Sequence, residues 1–402
     1  MRFEFEDRSG EYECETLSKL GEGGEGVIYI LDDQALAKVY HAKELNRRRQ
    51  EKVLALCARY NHFAGVFGAA RFAWPEAPAI SADIHEIVGF RMAHLGAYPS
   101  LEQVRYDSSE RQFRTAGGER LDDDKAIAVA YSLFDALERL HTARIVLGDL
   151  NPTNVLVDIH SANALIVDID SCHVEGFPCP VFKAEYLDPM TEAAGKQSDG
   201  SLNYTSSSDY YAAAVMTYEL IVGSLPSFFR SEQGLGALDL KAKGVSLLAH
   251  VEDPTFLSSH GVRLRSHPLN DGLCRRLQEV KLLDGGRLYR YWHDVLVKGR
   301  RYSLLERLPV SDPRNPTHRL LAKKGSRTVV DVIRDGQSPR AVVPLQADPI
   351  FFQEEDVQTI VGLTRRSSRL RATFDGVDPI GFQLFVENLG FDYRALLERG
   401  TG

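Results

Sequence analysis

The chain has 402 residues, of which 44% are hydrophobic and 26% charged, a balance that excludes a fibrous or disordered polypeptide and a single small core. A formal net charge of −8 argues against a general binder of nucleic acid or of anionic membrane surfaces, because both polyanions repel the averaged field. No apolar run approaches a membrane span and Met1-Arg2-Phe3-Glu4 does not open a signal segment, so a cytoplasmic protein without membrane contact is expected.

In chain order, residues 15–40 read as strand, Gly-rich turn, strand and second hairpin arm, carried by Val27, Ile28, Ile30, Leu36, Val39 and Tyr40. Lys43 to Ala58 interleaves charge with Leu45, Val53, Leu54 and Leu56, as an amphipathic helix does. His85 to Leu95 returns to strand character, and the polar stretch Arg111 to Asp124, with Gly117-Gly118, is expected to be a surface loop. Asp122-Asp123-Asp124 then precedes an apolar-periodic helix, Ala126 to His141, whose dipole the acidic start complements. Val155-Leu156-Val157 and Ala164-Leu165-Ile166-Val167 have the length of small buried strands, and residues 209–223 form a strongly apolar helix. The five scattered cysteines, Cys14, Cys57, Cys172, Cys179 and Cys274, lack paired C-x-x-C spacing and are expected to be free thiols.

Three segments carry chemistry. Gly21-Glu22-Gly23-Gly24-Glu25-Gly26 is a G-x-G-x-x-G run between strands, where missing side chains let backbone amides approach phosphate oxygens; an ordinary Gly-rich hairpin has the same composition. Lys38 follows in the apolar strand Ala35-Leu36-Ala37-Lys38-Val39, and a buried ammonium requires a carboxylate or phosphate partner. Glu51 on the following helix is the preferred carboxylate, with Glu44 as its competitor. The most specific segment is Gly148-Asp149-Leu150-Asn151-Pro152-Thr153-Asn154, followed by Asp168-Ile169-Asp170. Asp, Asn and Pro also favour turns, but turn preference does not explain the order of these residues behind Gly21 and Lys38.

These motifs resemble the catalytic loop and metal-binding turn of the protein kinase superfamily, most closely a bacterial Ser/Thr kinase-like branch. Tyr186-Leu187-Asp188-Pro189, Ser208-Asp209-Tyr210 to Pro226 and Asp284-Gly285-Gly286-Arg287 to Leu296 continue that order. The resemblance implies an α+β, bilobal fold, with a β-rich N-lobe over residues 1–95, a mainly helical C-lobe over 96–297 and a small C-terminal α+β region of unknown role over 298–402. It implies binding of ATP and Mg2+: Gly21, Gly23 and Gly26 covering phosphates, Ile28 lining the nucleotide site, Lys38 on the α/β-phosphates with Glu51 behind it, and Asn154 and Asp168 holding metal. Asp149 would orient the acceptor hydroxyl, and Met92, Ala93 and Leu95 would offer backbone bonds to adenine. A protein substrate is expected; a small-molecule phosphotransferase and a nucleotide-binding regulatory pseudokinase are the alternatives.

Departures from the family pattern bear on these expectations. Asn151 stands where Ser/Thr kinases often place a lysine, removing a positive charge near the transferring group. Asp170 replaces the glycine of the metal turn and is read as an extra metal ligand or a turn cap. Leu147-Gly148 replaces the His-Arg before the catalytic aspartate, and that arginine commonly pairs with a phosphate on the activation segment. Phosphatase treatment is therefore expected to leave any ATP turnover unchanged; a large loss of rate after treatment counts against that expectation.

Overall fold

The short runs of alternating apolar residues in the first hundred positions assemble into one antiparallel sheet. The computed structural model describes residues 2–299 apart from 6–10, 68–70, 108–111, 116–117, 119–120, 143–144, 175–176, 198–199, 227–236, 244, 254 and 256–267. The small C-terminal α+β region expected over 298–402 lies, from residue 300 on, outside the described residues.

The sheet contains β1 (Arg2–Phe5), β2 (Glu11–Glu13), β3 (Ser18–Glu22), β4 (Gly26–Ile30), β5 (Ala35–Tyr40), β6 (Ala77–Ser81) and β7 (Ile87–Ala93), in the spatial order β2-β1-β6-β7-β5-β4-β3. Sequence reading anticipates β3, β4, β5 and β7 but not β1, β2 or β6, which are short and carry glutamates or Pro78. Alternation in β1 buries Phe3 and Phe5 against Ala37, Val39, Ala79 and Val88 on one face of the sheet. On the other face Leu36, Tyr40, Phe90 and Met92 pack with Val53 of α1 (Arg47–Phe67). Lys38 shares this second face, because it lies two residues from both Leu36 and Tyr40 on β5. Helix α1 starts later than expected because Asn46 Oδ1 accepts from the Arg49 amide at 2.9 Å, capping the helix after a separate turn at Ala42–Glu44.

The remainder is mainly helical. Helix α2 (Asp123–Thr142), capped by Asp122 Oδ1 on the Lys125 amide at 2.8 Å, and α4 (Ser206–Val222) pack together. Their core includes Phe134, Tyr210, Tyr218, Tyr291 and Trp292, with Trp292 donating to Thr217 Oγ1 at 3.0 Å so that the indole N–H is satisfied. The expected loop at Arg111 to Asp124 is corrected in part: Gln112–Arg114 is a strand, β9, paired with β8 (Arg105–Asp107). Phe113 drives this pairing by burying its ring edge-on against Tyr106, 5.2 Å between centroids. A short hairpin, β10 (Val155–Asp158) with β11 (Asn163–Ile166), lies against α2. The whole is mixed α+β, as expected, and no helix among the described residues is long and apolar enough to cross a membrane.

Two seams fix the sheet on the helical part. After α1, Phe72 bridges Ile166 and the Ala73 amide donates to Ile166 O at 2.9 Å, while Arg71 binds Asp135 at 2.7 Å. After β7, the Leu101 amide donates to Val155 O at 2.7 Å and the Val157 amide to Pro99 O at 2.9 Å. Trp74 buttresses the first seam, fully buried and donating from its indole to Leu56 O at 3.0 Å. Trp74→Ala is expected to cost about 3–5 kcal/mol, measured as a lowered midpoint of urea unfolding, with Trp74→Phe costing less; a wild-type midpoint for Trp74→Ala contradicts this packing role.

Candidate active site

Lys38 has only 6% of its surface exposed, so its ammonium needs compensation, and three carboxylates from two distant segments surround it. Its Nζ donates to Asp168 Oδ1 at 2.6 Å and to both oxygens of Asp170 at 2.8 Å, and Glu25 Oε2 stands 3.6 Å away. Burial alone depresses the Lys38 pKa, but the charges of Asp170 and Asp168 outweigh it and hold the group above the ordinary lysine value. Asp170 is fully enclosed, also accepting from Tyr40 Oη at 2.7 Å; burial opposes its ionisation, and Lys38 overcomes that and lowers its pKa. The seam at Ile166 delivers these carboxylates, since it fixes the strand two residues before Asp168.

The expected pairing of Lys38 with Glu51 is corrected. Glu51 points outward and binds Arg47 at 2.8 Å one turn away, while Lys52, Val53 and Leu56 form the inward stripe of α1. Glu44 is not the partner either; it lies 3.7 Å from Arg49. Asp170 takes the place assigned to Glu51, so it is neither a free metal ligand nor a side-chain cap of its turn. Glu25, at the tip of the Gly-rich turn, links α1 to this cluster by accepting from Arg49 at 2.9 Å.

Asp149 and Asn154 occupy one loop facing the same region. Asn154 Nδ2 donates to the Asp149 carbonyl at 3.1 Å, and Asn154 O accepts from the Val167 amide at 3.0 Å, which holds Asn154 beside the Asp168 segment. Burial pushes the Asp149 carboxyl above the ordinary aspartate value, and its Oδ1 is buried with no hydrogen-bond partner among the described residues. Asn151 caps the turn, donating to Asp149 O at 3.0 Å and accepting from the Thr153 amide at 3.1 Å. Lys183 Nζ donates to Thr153 Oγ1 at 3.1 Å, and its charge is felt by Asp149.

Two residues outside the expected set hold this loop. Asp209, fully buried near the start of α4, accepts from the Leu147 amide at 2.7 Å, the Gly148 amide at 2.9 Å and His141 Nε2 at 2.8 Å. With Glu219 it is one of two carboxylates in so apolar a helix, and that contrast is the signal by which sequence reading finds it. Gly148 has φ of +72°, and a Cβ there would stand 2.8 Å from that of Cys179, so this turn demands glycine. Cys179 and Cys172 are free, and burial pushes both thiols up to about 12.

The Gly-rich run forms the expected β3–β4 hairpin, closed by the Gly23 amide on Gly26 O at 2.9 Å. Gly26 is required by the sheet, because a Cβ would meet Val39 O at 2.4 Å, whereas one on Gly21 or Gly23 would meet nothing within 4 Å. No protein contact therefore calls for glycine at those two positions. Ile28 pairs with Lys38 across the β4–β5 ladder, and Met92 and Ala93 close β7, with Leu95 just beyond it in the crossing to the helical part.

No family model matches the chain, and no curated protein matches it. The geometry makes its own demand on stability. Lys38→Met strands the buried Asp170 carboxylate and is expected to cost about 3–5 kcal/mol, whereas Lys38→Met with Asp170→Asn recovers most of that loss. Urea unfolding of the two single variants and the double variant measures the coupling; strictly additive losses contradict it.

Proposed function

We propose that the chain is an ATP- and Mg2+-dependent phosphotransferase with a bilobal, protein kinase-like fold, acting on Ser/Thr hydroxyls of a polypeptide. The observation that carries this reading is the contact of Lys38 with Asp168 at 2.6 Å, across 130 positions of sequence, beside the loop that bears Asp149 and Asn154. The sheet with α1 serves as the small lobe, the helical part to residue 297 as the large one, and the cleft between them as the nucleotide site.

The residues fit a divalent ion. Glu25, Asp168 and Asp170 outnumber Lys38 and Arg49, and Asp168, with 39% of its side chain exposed, is the most accessible of the three carboxylates. Asn154 and Asp168 would hold the ion, a donor set of the size Mg2+ uses alongside substrate phosphates. When bound, the ion neutralises charge developing on the β- and γ-phosphates. Lys38 positions the α/β-phosphates, and the hairpin at Gly21 and Gly23 leaves room for the triphosphate beneath its backbone amides. Asp149 accepts the hydrogen bond of the acceptor hydroxyl, and the raised pKa suits it to taking that proton. Lys183 supplies the positive charge next to the transferring group that Asn151 lacks.

A polypeptide acceptor is supported by the surface beside Lys183. Val181 and Phe182, next to Lys183 in the chain, are 39% and 42% exposed, apolar groups suited to contact with peptide side chains.

Incubation with γ-labelled ATP and Mg2+ is expected to label this protein or an added polypeptide, and Asp168→Ala to abolish it. Equal labelling by wild type and Asp168→Ala removes the assignment; ATPase stimulated only by small hydroxylic metabolites shifts it to a small-molecule acceptor, and nucleotide binding without turnover shifts it to a regulatory role. Lys183→Met is expected to lower kcat about a hundredfold while leaving KM for ATP unchanged, since it removes one preorganised charge from the transition state. An unchanged kcat takes Lys183 out of the mechanism.

A further inference from the structure

A second cavity, of about 280 Å3, opens between α1 and the chain that follows Asp170. Its cations, Arg48, Arg49 and Lys52, come from successive turns of α1, while Phe177, Pro178 and Pro180 contribute an apolar wall. Two carboxylates also line it, and both are engaged: Asp170 by Lys38 and Tyr40, Glu25 by Arg49. Lys52 is different. It is nine-tenths buried, with 9% exposed, and makes no hydrogen bond or ion pair among the described residues. Its charge helps to lower the Asp170 pKa, and with no hydrogen-bond acceptor among the described residues its N–H groups are left for an occupant of the cavity it lines.

We propose that this cavity binds a small, diffusible anion carrying a phosphoryl group, with Lys52 as the central cation, Arg48 and Arg49 beside it, and the organic part of the ligand against Phe177 and the prolines. The volume is near the small end of ligand pockets, about 300 Å3, which fits a small phosphorylated metabolite. Arginine supplies forked donors to phosphoryl oxygens and lysine a point charge, the pairing that phosphate sites use. This site adjoins the Lys38 cluster, sharing Glu25, Tyr40 and Asp170 with it, but Lys38, Asp149, Asn154 and Asp168 do not line it, and its assignment does not depend on the phosphotransferase reading.

Calorimetric titration of the full chain with inorganic phosphate in magnesium-free buffer tests the site. Saturable binding is expected, weakened about tenfold or more by Lys52→Met, as loss of one charge-assisted contact requires, and retained by Lys52→Arg. Thermal unfolding supplies the second measurement: phosphate is expected to raise the melting temperature of wild type and of Lys52→Arg but not of Lys52→Met. Phosphate binding equal in Lys52→Met and wild type overturns the proposal, as does the absence of saturable binding. An equal phosphate-induced rise in melting temperature in wild type and Lys52→Met also overturns it.

Discussion

Everything that places the site follows from one buried ammonium. Lys38 sits on a strand covered on both faces, where an unpaired charge costs several kcal/mol. From its own sheet Glu25 stands 3.6 Å away, without a hydrogen bond. The hydrogen-bonded compensation arrives from the segment after β11, which the bridge of Phe72 to Ile166 holds in register with the sheet. A structural need of the small β-rich half is thus met largely by the helical half, so docking of the two halves stabilises the lysine in place. The cluster thereby couples the fold to the geometry of the site.

The same logic repeats in the loop at Asp149. Its backbone amides would be unsatisfied in so buried a location, and the Asp209 carboxylate takes two of them together with His141. Gly148 permits the turn, at positive φ and in contact with Cys179. With Asn151 and Asn154 binding the Asp149 carbonyl, the loop is held from three directions while Asp149 Oδ1 stays without a donor. A rigid surround thus leaves one buried acceptor of the loop unfilled among the described residues.

What was legible in the sequence was whatever lay in short, ordered motifs. Lys38, Asp149, Asn154 and Asp168 come together because their spacing within each motif is tied to local turns, and the strands at β3 to β5 carry enough β-branched residues to read directly. Glu51 misled because helical phase decides which residues face inward. One residue along, Lys52 and Val53 point in, and the arginine-rich start of α1 gives the pattern little contrast. Glu25, Asp170 and Lys183 act through contacts across the fold that no local pattern encodes. The strands β1, β2 and β6 escaped notice because each is short, and their apolar positions make sense only against the opposite face of a sheet not yet built.

The change of partner for Lys38 alters what α1 is for. If a glutamate on α1 held the lysine, the inward face of that helix would be tied to the Lys38 cluster by an ion pair, and moving the helix would unmake it. Here Asp170 holds Lys38 from the same turn that presents Asp168, so lysine and aspartate stay aligned by a connection only two residues long. The inward face of α1 is left to carry Arg49 and Lys52, and Arg49 reaches the cluster through Glu25 at the tip of the Gly-rich hairpin and through the ring of Tyr40. An anion drawing Arg49 away would therefore act on the hairpin while Asp168 and Asp170 keep the lysine in place, which separates the hairpin from the alignment of the charged groups.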